Sequence, residues 1–282
     1  MTDATFGPLV STAWLADRLS DADLRIVDAT WYLPHLRRDA HAEFREAHIP
    51  GAVYFDIDAI ADPRRGLPHM LPDPGTFAEA VSALGVGDDD RVVVYAGKYL
   101  VASARVWWTF RVFGYTRVAV LDGGFPRWQE EGRPLETDEA HPVRRHFTAR
   151  FQPDLVTDLD AVRRNLETRR AQVVDARSAG RFAGTEPEPR EGLRGGHIPG
   201  SLSLPFDRVF RQDGMLLGRD DLRRVFEAAR VDLQRPIVTT CGSGVTAAVL
   251  ALGLDLVDRP DVAVYDGSWT EWGGRDDVPV ER

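Results

Sequence analysis

The chain of 282 residues carries 35 lysines and arginines against 44 aspartates and glutamates, a formal net charge of −9. A nucleic-acid partner would require a concentrated basic face, whereas the pairs Arg37-Arg38, Arg64-Arg65, Arg144-Arg145 and Arg163-Arg164 are scattered. A single cysteine, Cys241, excludes an internal disulfide framework and a cysteine-rich metal centre, and no apolar run is long enough to cross a bilayer.

The length suggests two domains, each able to bury its own core. The first residues lack the basic stretch and apolar run of a secretory signal, so a reducing, cytoplasmic setting is expected. Read from the N-terminus, "RIVDA" (25–29) is a short β-branched run ending in an acid. "VVVYA" (92–96) is a continuous apolar run, as expected for a strand buried on both faces. It leads into the helical candidate "ASARVWWTFRVFG" (102–114), and "VAVLDGG" (118–124) reads as a strand followed by a turn. Residues 131–154 are polar and punctuated by Pro134, Pro142 and Pro153, which is linker chemistry.

The same themes then return. "QVVDA" (172–176), "PIVTTC" (236–241), "TAAVLALGLDLVD" (246–258) and "VAVYDGS" (262–268) follow in matching order. Asp28 answers to Asp175, His48 in "AHIPGA" to His197 in "GHIPGS", and Asp122 to Asp266, at offsets of 147, 149 and 144. So long a period marks a duplicated domain rather than a solenoid. The expected boundaries are a first domain at 1–140, a linker at 141–155 and a second domain at 156–282. Alternating strands and helices predict an α/β fold, each copy a mainly parallel sheet flanked by helices. In such sheets ligands bind beyond the carboxyl ends of the strands.

Cys241 occupies that kind of position. Between the strand ending near Thr240 and the helix starting near Thr246 lie Cys241, Gly242, Ser243, Gly244 and Val245. The glycines permit a tight curl in which successive N–H groups point into one concavity. The helix N-terminus adds partial positive charge. Both effects favour thiolate over thiol and would equally stabilise a charged persulfide. The first copy is a built-in control, because "VVVYAGK" sets Ala96 opposite Cys241. The paired histidines His48 and His197 occur in both copies, so a structural turn explains them better than catalysis does. Asp122 and Asp266 read as strand-end turns, and Trp107, Trp108, Trp128 and Trp272 as core aromatics.

Two tandem copies, the paired "HIPG", a first copy without cysteine and the loop "CGSGVTA" together resemble the two-domain rhodanese sulfurtransferases, over nearly the whole chain. The loop is most similar to that of the 3-mercaptopyruvate sulfurtransferase branch. Thiosulfate-preferring members carry basic side chains directly after the cysteine, where this chain has Gly242 and Ser243. The resemblance implies two tandem rhodanese-like domains, the first inactive. It implies a Cys241 persulfide cradled by the loop Gly242, Gly244, Val245, Thr246 and Ala247, and substrate-binding arginines at Arg181 and Arg190, whose planar forks suit a carboxylate. It further implies Ser243, His69 and Asp58 as a trio assisting proton transfer, drawn from both copies. That would explain why a copy without a nucleophile is kept.

The activity so implied moves sulfane sulfur from 3-mercaptopyruvate to a thiol, thioredoxin or cyanide acceptor, with no metal and no organic cofactor. The alternatives are thiosulfate:cyanide sulfurtransfer and, more distantly, a non-catalytic binding or redox-sensing module. A cysteine-dependent phosphatase or arsenate reductase would need an arginine six residues after the cysteine, where this chain has Ala247.

Overall fold

The computed structural model describes residues 6–33, 36–97, 100–137 and 140–282. It divides into two compact units: residues 1–61, 72–151 and 213–215 form the first, and residues 62–71, 152–212 and 216–282 the second. Each unit is built on one five-stranded sheet.

In the first unit the elements run β1 (Leu9–Val10), α1 (Thr12–Ala16), β2 (Leu24–Asp28), α2 (Ala40–Glu46), β3 (Ala52–Tyr54), α3 (Pro74–Ala83), β4 (Arg91–Tyr95), α4 (Val101–Val112), β5 (Val118–Leu121) and α5 (Gly124–Glu130). In the second they run β6 (Val156–Thr157), α6 (Leu159–Thr168), β7 (Gln172–Asp175), α7 (Ala179–Ala183), β8 (Leu202–Ser203), α8 (Arg219–Ala228), β9 (Ile237–Thr240), α9 (Val245–Asp255), β10 (Ala263–Tyr265) and α10 (Ser268–Trp272). The strand orders, β1-β5-β4-β2-β3 and β6-β10-β9-β7-β8, are the same topology twice. All pairings between named strands are parallel. Buried parallel strands favour apolar and β-branched residues on both faces; β4 supplies "VVVY" and β9 "IVTT", all buried, the two threonines being the polar members.

The core repeats in detail. Trp128 and Trp272 are both fully buried, and each indole N–H donates to a carbonyl a few residues on, Pro134 O and Pro279 O, at 2.8 Å. His48 stacks on Phe44 and bonds its carbonyl through Nδ1 at 2.7 Å; His197 does the same with Phe182 at 2.9 Å. Both histidines also sit in isolated bridges, to Glu136 and Glu281. These are anchors of a turn, held by stacking and backbone.

Much of the segment read as a linker at 141–155 is packed. Residues up to 151 belong to the first unit. Phe147 is buried against Phe77 and Phe110, and the Arg145 guanidinium meets the Asp90 carboxylate at 2.6 Å. One aromatic side chain able to bury its area outweighs the local proline and charge content. Among the described residues no helix is long and apolar enough to cross a membrane.

Candidate active site

Strand β9 ends at Thr240, and the next residue, Cys241, is 2% exposed and forms no disulfide. Gly244 turns the chain into α9 with φ +75°, a left-handed conformation that only glycine adopts cheaply. No side chain caps α9, so the partial positive charge of its first N–H groups faces the loop.

The loop is fixed from behind by α10. Trp269 N donates to the Cys241 carbonyl at 2.9 Å, and the Gly242 carbonyl accepts from Thr270 N at 2.8 Å and from Thr270 Oγ1 at 2.6 Å. In a trans peptide the N–H points opposite to the C=O. With these two carbonyls turned towards α10, the N–H groups of Gly242 and Ser243 are directed to the other side of the loop. Two residues after Ser243, α9 begins with its first N–H groups uncapped by any side chain.

A chain of buried charges stands beside the loop. Arg177 has no exposed side-chain surface; it bonds both oxygens of Asp175, Glu188 Oε1 at 2.7 Å and the Gly196 carbonyl at 2.8 Å. Its guanidinium lies 4.1 Å from the centroid of the Trp269 ring. Burial works against the Arg177 charge, but the Asp175 and Glu188 carboxylates outweigh it and hold its pKa above the ordinary arginine value. The second oxygen of Glu188 takes Arg181 Nη2 at 2.6 Å and Nε at 3.2 Å. Arg181 is thereby brought over Gly242: a Cβ built there would stand 3.0 Å from Arg181 Nη2. A side chain at 242 would crowd the end of the Arg181 guanidinium. The backbone of Arg181 is held by Ser178, which accepts its N–H as the cap of α7.

The second unit therefore brings Arg181 against the Cys241 loop. Ser243 is buried within the loop, as are Val245 at the start of α9 and Ala247 in its first turn, beside half-buried Thr246. Arg190 is half-buried in the bend two residues after Glu188. His69 belongs to residues 62–71, which group with the second unit. It is 5% exposed and takes the left-handed φ of +60°. Two residues on, Leu71 N donates to Asp266 Oδ2 at 2.9 Å, so Asp266 is more than a strand-end turn: its carboxylate holds the segment that carries His69. Asp58 lies in the first unit on an exposed turn, where it accepts the Trp31 indole N–H at 2.8 Å. The sequence reading missed Arg177, Glu188, Ser268 and Thr270. The "DAR" that replaces "DAT" of the first copy, and the acid inside "EPEPR", were the available signals.

Residues 11–131 and 158–275 each match the rhodanese-like domain family. The chain belongs to the rhodanese family. This rhodanese-family protein is 46% identical over 270 residues to the 3-mercaptopyruvate sulfurtransferase of Homo sapiens, covering 94% of this chain and 91% of the human one. It is 44% identical to the thiosulfate sulfurtransferase of Bos taurus, with the same coverage of 94% and 91%. The crystal structure of the 3-mercaptopyruvate sulfotransferase SseA from Escherichia coli superposes with a TM-score of 0.86 at 40% identity, covering 93% of this chain and 99% of that one. The two rhodanese-like domains are the two parallel-sheet units described above, and the protein is a sulfurtransferase.

Proposed function

We propose that this sulfurtransferase takes its sulfur from 3-mercaptopyruvate and carries it as a persulfide on Cys241. The observation that carries the reading is the approach of the Arg181 guanidinium to Gly242, one residue from the thiol. A planar cation at that distance suits a donor that presents a carboxylate and a carbonyl next to its sulfur. Arg190, on the same loop, is proposed as the second arm. Neutral Gly242 and Ser243 leave the loop without the extra charge that a thiosulfate dianion would favour.

In the first half-reaction the Cys241 thiolate attacks the donor sulfur. An S–S bond forms, the donor C–S bond breaks, and its electron pair leaves on carbon as the enolate of pyruvate. A proton returned to that carbon completes pyruvate, and the donor's thiol hydrogen stays on the outer sulfur until the persulfide ionises. Ser243 and His69 are proposed to assist the proton, with Asp58 as the third member of the trio. The N–H groups of the loop 242–247 hold the persulfide anion. In the second half-reaction an acceptor thiolate, thioredoxin or cyanide attacks the outer sulfur and Cys241 thiolate departs. The first copy, with Ala96 in the equivalent place, carries no sulfur of its own.

Mass spectrometry after incubation with the donor should find a gain of about one sulfur mass on Cys241, removable by cyanide. Cys241→Ser should abolish both the adduct and pyruvate release; pyruvate at the wild-type rate from that variant would refute the reading. Comparing kcat/KM for 3-mercaptopyruvate and thiosulfate decides the donor. The bovine relative makes thiosulfate the competing choice, and a clear advantage for it would overturn the first.

A further inference from the structure

Ser268 is fully buried and carries the left-handed φ of +49°. A non-glycine residue in that region is under steric strain, so something must be gained by a side chain there. The Ser268 Oγ donates to the Tyr265 carbonyl at 2.7 Å and accepts from Cys241 N at 3.2 Å and Thr240 Oγ1 at 3.4 Å. One donor and two acceptor sites of a hydroxyl are thus all used. The carbonyl at the other end of the same peptide, Thr240 O, accepts from Ala176 N at 2.8 Å. The peptide that leads into Cys241 is therefore gripped at both ends.

The first copy shows what this turn does without a nucleophile. Gly124 stands two residues after Asp122 as Ser268 stands two after Asp266, and it too is left-handed, with φ +58°. The surrounding backbone bonds are preserved: Phe125 N donates to Ala96 O at 2.9 Å, as Trp269 N does to Cys241 O. A Cβ at Gly124 would fall 2.4 Å from the Ala96 carbonyl, so no serine fits there. The hydroxyl is present in the copy that has the thiol and absent from the copy that lacks it.

We propose that Ser268 is a positioning residue for sulfur transfer: it holds a strained turn in order to fix the Cys241 backbone from which the sulfur projects. It touches no donor atom and acts through Cys241. The inference rests on Cys241 as the sulfur carrier. Two variants separate positioning from mere support of the fold. Ser268→Gly removes the hydroxyl and the strain together, while Ser268→Ala removes the hydroxyl and keeps the strain. Melting temperatures should therefore split, with the glycine variant about 2–4 °C above the alanine variant.

Iodoacetamide alkylation at pH 7 and the rate of persulfide formation should instead fall together. A drop of about ten-fold is expected in both, with donor KM little changed, since small misplacements of a reacting atom are costly. Wild-type rates in either variant would overturn the proposal. So would rates that follow the melting temperatures, slow for alanine and near normal for glycine, since a structural role predicts that order. If wild type forms no persulfide, the reading of Cys241 fails. The alkylation comparison needs no donor and still decides the role of Ser268.

Discussion

Arg177→Met removes the cation that two buried carboxylates share, and the structure states which of them is orphaned. Glu188 keeps Arg181 at 2.6 Å, but Asp175, with 1% of its side chain exposed, keeps among the described residues only the backbone N–H of residue 177 at 3.0 Å. Breaking a buried pair from one side typically costs about 3–5 kcal/mol, because a charge is left without water or partner. For units of this size that corresponds to a fall in Tm of roughly 6–20 °C. Methionine fills much of the volume of the arginine stem, so the loss should be electrostatic rather than a cavity effect. The double variant Arg177→Met with Asp175→Asn supplies the internal test. Asparagine can still accept the backbone N–H but carries no charge, so at least half of the lost stability should return. The assay is thermal and urea unfolding of wild type, single and double variants at pH 7. A single variant destabilised by less than about 1 kcal/mol, or a double variant no better than the single, would refute the orphaned-charge argument.

Gly242→Ala should push Arg181 off its place, since the new Cβ would meet Nη2 at 3.0 Å; donor KM should rise several-fold while unfolding is little affected, read from steady-state kinetics and a melting curve. Glu131 accepts from Thr12 Oγ1 and from Arg133 and Arg127, each at 2.6 Å, and the Thr12 bond above all brings its pKa down to about 2. A depressed carboxylate stabilises above the unfolded value of about 4.3 and loses that stabilisation as pH falls towards the folded value. Glu131→Gln should therefore cost about 1–2 kcal/mol at pH 7, after allowance for partial exposure, and progressively less as pH falls below about 4 towards the folded value. Asp28 is the opposite case: burial raises its pKa, although Thr30 N at 2.7 Å opposes the rise. Its contribution is favourable below the unfolded pKa and is lost as pH rises through the folded one. Asp28→Asn should be more stable than wild type at pH 7 and equal to it in acid, as measured by urea unfolding across pH.

The strands, the duplication and the strand–loop–helix setting of Cys241 were legible because they depend on short-range pattern. β4 and β9 announce themselves as apolar runs, and the glycines of the loop mark its curl. The Arg177–Glu188 pair was not legible. Its partners stand 11 residues apart in an acidic, proline-bearing loop, and local composition cannot tell a buried ion pair from a solvated one. Phe147 escaped for a related reason, since its polar neighbours suggest a linker and only the aromatic cluster it meets shows otherwise. Residues 62–71 carry no local sign that they group with the second unit, and His69 is displaced from its own repeat accordingly. Ser268 was hidden by the assumption that a turn after a strand needs only to turn.

The two copies differ most where each would be cheapest to leave alone. After the buried acid of the first strand theme the first copy has Thr30, which gives Asp28 a backbone N–H but no cation; the second has Arg177, which gives Asp175 the same backbone N–H and adds a fully buried guanidinium that pairs with two carboxylates. After the last strand theme the first copy has glycine at the left-handed step, and the second has Ser268 under strain. Neither difference improves the second unit as a fold, because a buried ionic network is weak evidence for stability and a strained serine is a cost. Both lead back to Cys241, one through Glu188 and Arg181 to Gly242 and the other through the Cys241 N–H. A scaffold duplicated and then burdened on one side only is what selection for the chemistry of one thiol would leave.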